Sequence, residues 1–173
     1  MNYEEAIERL SQMDKLAYPP LFDVKPDLVY ANRVRNDFAG VTSEMSSICQ
    51  YAYEEIVFRK KQHINQILNK IAQVEMKHLA LLGNLMSQLG GEPYYINSFG
   101  NAWNANCIYY QTEDFVKVMK YNIEQEQIAI VNYEQEVKDT NNHSIKELFK
   151  RIILDEKTHI RIFSMVANDY ENF

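Results

Sequence analysis

The sequence predicts an all-α protein built as a single four-helix bundle, and three observations carry that reading. Only 5 Gly and 4 Pro occur in 173 residues, while Leu, Met, Glu, Gln, Lys and Ala are spread throughout, a balance that favours helix over strand. Four long segments carry seams of helical period, three of them in unbroken steps of three and four and the first with two steps of seven, as expected of helices with one buried face. Inside those stripes the motif Glu-x-x-His occurs twice, as Glu75-Met76-Lys77-His78 and Glu156-Lys157-Thr158-His159, 81 residues apart. A chain of this length supports one substantial hydrophobic core, so one bundle domain is expected over residues 27–173, preceded by an arm over residues 1–26.

Charge and composition narrow the function. A net charge of -6 and a pI near 5.3 give no electrostatic reason to expect nucleic acid, and the short run Arg59-Lys60-Lys61 reads as a solvated turn. No apolar run approaches the roughly 18 residues of a membrane span. The start, Met1-Asn2-Tyr3-Glu4-Glu5, lacks the basic and apolar regions of a signal peptide, so a soluble, cytoplasmic protein with no membrane partner is expected. Cys49 and Cys107 stand alone, which excludes a disulfide framework and a Cys-x-x-Cys site.

In the arm, Ala6, Ile7 and Leu10 suit a short amphipathic helix, Pro19-Pro20 ends it, and Tyr18, Leu21 and Phe22 are placed to pack an extended strap onto the bundle. The first long helix is expected from Pro26 or Asp27 to Phe58, with the seam Val34, Val41, Glu44, Ile48, Tyr51 and Phe58. The second, residues 62–89, has the stripe Ile64, Leu68, Ile71, Glu75, His78, Leu82, Leu85 and Leu89, and Gly90-Gly91-Glu92-Pro93 stops it. A long connection rich in Tyr and Asn follows to about Thr112, long enough to run the length of the bundle. The third helix, residues 113–138, carries Val116, Met119, Ile123, Glu126, Ile130, Tyr133 and Val137; Glu124 falls on a flank with Lys117 and Lys120, which leaves Glu126 as the inward acid. Asp139-Thr140-Asn141-Asn142 marks a turn, and the last helix shows Ile145, Phe149, Ile152, Glu156, His159, Phe163 and Val166.

The polar residues in these stripes are spaced so that they meet. Residues three apart on a helix share a face, so each Glu-x-x-His aims a carboxylate and an imidazole at one point. Glu44 lies 31 residues before Glu75 and Glu126 lies 30 before Glu156, and residues on antiparallel neighbours meet at one height when the turn sits midway. The midpoint of Glu126 and Glu156 is Asn141, inside the turn signal, and that of Glu44 and Glu75 falls at Arg59 to Lys60, between two stripes. With an offset of 81 or 82 the two halves match as a distant internal repeat, pairing Glu44 with Glu126, Tyr51 with Tyr133 and His78 with His159. Four carboxylates buried without countercharge would cost several kcal/mol each, and no Lys or Arg occupies the four seams. Two divalent cations would balance them. The expected ligands are therefore Glu44, Glu75, His78, Glu126, Glu156 and His159, with Tyr51 and Tyr133 placed to hydrogen-bond a ligand or relay an electron.

On these residues the chain resembles the ferritin-like superfamily of di-iron and di-manganese carboxylate proteins, whose bundle supplies one Glu from each of two helices and Glu-x-x-His from each of the other two. The resemblance covers about residues 27–170 and implies a ferritin-like four-helix bundle with the long crossover between its second and third helices. The doubled motif is similar to that of rubrerythrins, bacterioferritins and manganese catalases, and implies Glu75 and Glu156 as bridges between two Fe or Mn ions. In manganese catalases the glutamate matching Glu156 is implicated in acid-base work, so the resemblance offers that role for Glu156 too. It implies an oxidoreductase acting on hydrogen peroxide or dioxygen, as a homodimer or higher homo-oligomer. Without a rubredoxin-like pair of Cys-x-x-Cys motifs, a rubrerythrin-like peroxidase would need an external electron donor. The alternative is a non-enzymatic metal-binding, iron-storage or structural protein.

Overall fold

The first helix, α1 (Tyr3–Met13), opens with a reciprocal cap: the Glu5 amide donates to Asn2 Oδ1 at 2.9 Å and the Asn2 amide donates to Glu5 Oε2 at 3.0 Å. The computed structural model describes residues 1–13 and 15–171 of the chain. α1 buries Ala6, Leu10 and Met13 against α4 (Gln62–Gln88). The strap that follows packs through Tyr18, Leu21 and Val24; Phe22, expected to join them, is exposed, and the strap is fixed there by backbone instead. The Phe22 carbonyl accepts from Asn142 and Ser144 side chains, and its amide donates to Ser144 Oγ.

The single helix expected over residues 27–58 is two. α2 (Leu28–Ala39) is capped by Asp27, α3 (Glu44–Val57) is capped by Ser43, and residues 40–43 are not helical. The local chemistry explains the break. Gly, then β-branched Val41 and Thr42, then Ser43 all weaken a helix interior, and serines compete for backbone groups. Ser43 Oγ donates to the Gly40 carbonyl at 2.9 Å and Ser46 Oγ donates to it at 3.0 Å, which replaces the lost helical bonds. Trp103 of the crossover donates through Nε1 to Ser46 Oγ at 2.9 Å and braces the same point from outside. The break also turns Val41 outward, 70% exposed, so it is not a seam residue.

α4 ends as expected: Gly90, at φ +86°, supplies the left-handed residue of a closing turn in which the Gly91 amide reaches the Met86 carbonyl at 2.9 Å. The crossover, residues 89–114, holds one antiparallel bridge between Ile96 and Ala102 and a 3-10 turn at Ala105–Cys107. It leads to α5 (Phe115–Asp139), capped by Asp114, and α6 (His143–Glu171) starts after Asn142 accepts from the Ile145 amide. α3 packs on α4 and α5 on α6 as two hairpins, with turns at residues 58–61 and 140–142 where the spacing placed them. This is the ferritin-like bundle, with its first long helix interrupted.

Two apolar clusters fill the bundle. One joins α1 to Tyr51, Ile64, Leu68, Ile71, Met119 and Phe163; the other joins α2 to Leu82, Leu85, Tyr133, Phe149 and Ile152. Between them lies a layer of buried polar side chains. A second polar cluster fastens the crossover: Gln50 accepts from the Tyr109 amide at 2.8 Å and donates to its carbonyl at 3.1 Å. Gln50 and Asn122 also donate to the two oxygens of Glu54, at 2.8 and 2.7 Å. Glu54 is fully buried, and burial pushes its carboxyl up to about 8 despite those two donors.

Two predictions follow from these contacts. A Cβ at residue 40 would lie 2.4 Å from the Asn36 carbonyl oxygen, a backbone atom that cannot swing away, so Gly40→Ala should cost roughly 1–3 kcal/mol in denaturant unfolding, the usual range for overpacking. Because the folded protein holds the Glu54 proton up to about pH 8 and the unfolded chain releases it near 4.5, this group's contribution to stability declines as pH rises through that window. Glu54→Gln should flatten the fall in melting temperature between pH 5 and pH 8 relative to the parent protein; an unchanged slope would remove Glu54 from the account.

Candidate metal centre

The polar layer is built by four helices. Glu44 is the first residue of α3, where the helix N-terminus favours a negative charge; Glu75 and His78 come from α4, Glu126 from α5, and Glu156 and His159 from α6. All six are at most 2% exposed, and all six come together. His78 Nδ1 lies 3.0 Å from Glu75 Oε2, 3.1 Å from Glu156 Oε1 and 3.6 Å from Glu44 Oε2. His159 Nδ1 lies 3.0 Å from Glu75 Oε1, 2.9 Å from Glu156 Oε2 and 3.6 Å from Glu126 Oε1. Glu75 and Glu156 thus each send one oxygen to either imidazole, while Glu44 and Glu126 each serve one. The side chains sort into two four-residue sets, Glu44, Glu75, His78, Glu156 and Glu75, Glu126, Glu156, His159.

The tyrosines cross between the hairpins. Tyr51 of α3 donates its hydroxyl to Glu126 Oε1 of α5, and Tyr133 of α5 donates to Glu44 Oε1 of α3. Burial, reinforced by the adjacent carboxylates, pushes both phenols well above their ordinary value, so both remain protonated donors. His63 and His143 are exposed and far from this layer in sequence, and Glu124 is exposed, as the stripes indicated.

Sequence reasoning did not single out Asp155, which is 1% exposed. Its Oδ2 sits 3.2 Å from His78 Nε2, accepts from the Tyr18 hydroxyl at 2.9 Å, and pairs with Arg151 Nη1 at 2.5 Å. The Arg151 guanidinium lies 4.7 Å over the Tyr18 ring, whose edge meets His78. The signal was present: Asp155 interrupts the buried row Leu148, Asp155, Ile162, spaced by seven on α6. Asp37 of α2 was missed as well; it is buried and shares a cavity with the layer.

That cavity, about 250 Å³ with its mouth, has room at its centre for a water-sized molecule. It opens at the break between α2 and α3 and is lined by Thr42, Ser43, Ser47, Ala129 and Asn132, with Glu44, Glu75, Glu126 and Glu156 at its inner wall. Neither histidine lines it. A small molecule entering here meets the carboxylate side of the layer.

The donor set fits two cations. Four carboxylates and two imidazoles, hard oxygen with borderline nitrogen, suit iron or manganese. Glu75 Oε1, Glu156 Oε2 and His159 Nδ1 are buried without a hydrogen-bond partner although they face one another, as ligand atoms would. Charge behaves accordingly. Burial pushes Glu44 and Glu126 well above the usual carboxylate range; burial opposes ionisation of Glu75 too, but His159 and His78 outweigh it and hold Glu75 well below that range. Both imidazoles, penalised by burial, are nonetheless drawn well above their ordinary value by the surrounding carboxylates. Protons therefore do the neutralising that cations would do.

Fold and layer together make a ferritin-like bundle whose carboxylate-imidazole layer could hold two metal ions. A family model for rubrerythrin matches residues 39–167, from the helix break to the end of the core, and the chain belongs to the rubrerythrin family. No curated protein sequence matches it. Among solved structures it is similar to KatB, a manganese catalase from Anabaena PCC7120, at 22% identity and a TM-score of 0.80, covering 90% of this chain and 78% of that one. It is also similar to the Desulfovibrio desulfuricans bacterioferritin, whose structure reports a diiron site, at 19% identity and a TM-score of 0.64, covering 100% and 86%. These likenesses establish the fold.

If cations replace protons here, loading must release protons. Titrating the metal-free protein with Mn²⁺ or Fe²⁺ by calorimetry in buffers of different ionisation enthalpy should reveal that release, and apparent affinity should rise with pH. Because the imidazoles hold their protons well above the ordinary range, affinity independent of pH between 6 and 8 would contradict the charge assignment.

Proposed function

We propose that the protein is a dinuclear iron or manganese oxidoreductase acting on hydrogen peroxide or dioxygen. The observation that carries this is the double reach of Glu75 and Glu156, each with one oxygen toward each histidine, which supports two cations held side by side. In this reading Glu44 and Glu126 would each serve one metal, His78 and His159 would supply one nitrogen each, and Glu75 and Glu156, with one oxygen toward each imidazole, would serve both. Glu156 serves as a ligand, because its geometry matches that of Glu75. When bound, a pair of such metals supplies two one-electron redox changes.

The chain's own residues account for the rest. Tyr51 and Tyr133 hold the terminal carboxylates by hydrogen bonds worth about 1.5–3 kcal/mol each to a charged acceptor. The hydroxyl of Ser47, which borders the cavity, offers a hydrogen bond to a small polar guest at the carboxylate side. The cavity, with room at its centre for a water-sized molecule, has no space for an organic substrate of ordinary size. No helix among the described residues is long and apolar enough to cross a membrane, and the proposal includes a cytoplasmic setting. It also includes a homodimer or higher homo-oligomer, supported by the exposed apolar residues Val29, Val131 and Leu154.

Metal analysis of protein purified from its native host, followed by a peroxide assay with and without reductant, tests the reading. The expected result is two equivalents of metal and peroxide consumption. Manganese with oxygen evolution identifies a catalase, and iron with donor-dependent turnover identifies a peroxidase. Glu75→Ala and His159→Ala should each lose at least one equivalent and reduce turnover at least a hundredfold. Metal held without any turnover would favour the storage or structural alternative, and metal content unaffected in both variants would refute the site.

A further inference from the structure

The two histidines are alike in their carboxylate contacts and unlike behind the ring. His78 Nε2 faces Asp155 Oδ2 at 3.2 Å, and Asp155 is itself held by Arg151 and by the strap residue Tyr18. His159 Nε2 is fully buried and has no hydrogen-bond partner among the described residues. The internal repeat explains the difference: with the offset of 81 that carries Glu75 onto Glu156, the position equivalent to Asp155 is occupied by Val74, a buried apolar residue. The strap's Tyr18 meets the His78 ring edge-on.

A carboxylate behind a metal-binding imidazole fixes the ring's orientation and tautomer, placing its proton on the far nitrogen, and raises the basicity of the ligating nitrogen; loss of such a partner typically costs 10–100-fold in metal affinity. We propose that the two metal positions are inequivalent: the one bounded by Glu44, Glu75, His78 and Glu156 binds its divalent cation first and more tightly, and the one bounded by Glu126 and His159 fills second and exchanges faster. Asp155 is the positioning residue responsible, with Arg151 and Tyr18 keeping it in place. The inference rests on the two-metal reading above.

The test uses the full-length protein, stripped of metal and given Mn²⁺. With one equivalent, anomalous scattering from a crystal should locate the ion beside His78. Calorimetry should resolve two steps with dissociation constants at least tenfold apart. Asp155→Asn, which keeps shape but removes charge, should narrow that gap about tenfold and spread the first equivalent over both positions; Tyr18→Phe should act in the same direction, less strongly. Val74→Asp, which rebuilds the missing partner, should tighten the second step. If Val74→Asp fails to fold, the Asp155→Asn occupancies decide alone. Equal occupancy in the parent protein, a single cooperative step with no half-loaded species, or a gap unchanged in Asp155→Asn overturns the inequivalence while leaving two-metal binding intact. No Mn²⁺ or Fe²⁺ binding at all overturns both.

Discussion

The constraint on which the structure depends is the cost of burying four carboxylates in one layer of a helical bundle. Each ion removed from water costs several kcal/mol unless it is matched, and six polar side chains here lie between two apolar clusters that could otherwise have met. The arrangement answers that cost in three ways. The carboxylates converge on two imidazoles, so that charge of the opposite sign is always at hand. Two tyrosine hydroxyls satisfy the outer oxygens. Glu44 is given a helix N-terminus by a break that a uniform bundle would not contain.

That break links local sequence to access. The break leaves Thr42 and Ser43 outside any helix, on the border of the cavity that Glu44, Glu75, Glu126 and Glu156 also line. The chain departs from helix at Gly40, and the serine hydroxyls take over the backbone bonding there. Ser43, with its neighbour Thr42, also borders the cavity that reaches the layer. The crossover, which might have been only a connector, closes on this point through Trp103. Stability and entry are thus set by one short segment.

The six candidate ligands were legible in the sequence because they violate a pattern. A charged residue that continues an apolar stripe must face the core, and turn midpoints then say which residues meet. The same reasoning separated Glu126 from Glu124. It overlooked the interruption near Gly40, since the steps of seven and three from Val34 to Val41 and Glu44 keep a helical period on paper even where the backbone leaves the helix. It also passed over Asp155, because a stripe drawn through Glu156 and His159 hides the neighbouring row in which Asp155 stands. Asp37 and Glu54 were missed for a related cause: their burial depends on the crossover and the helix break, contacts between segments that no periodicity encodes.

The crossed tyrosines carry a consequence for assembly. Each hairpin keeps its own Glu-x-x-His but sends a hydroxyl to the other hairpin's glutamate, and each cluster takes its third carboxylate from across the interface. Neither half can therefore finish its own cluster before docking. A slip of one helical turn between the halves, about 5.4 Å, would break both tyrosine links and separate both shared carboxylates together, so the layer acts as a proofreading device that rewards one alignment of the two hairpins and penalises its neighbours.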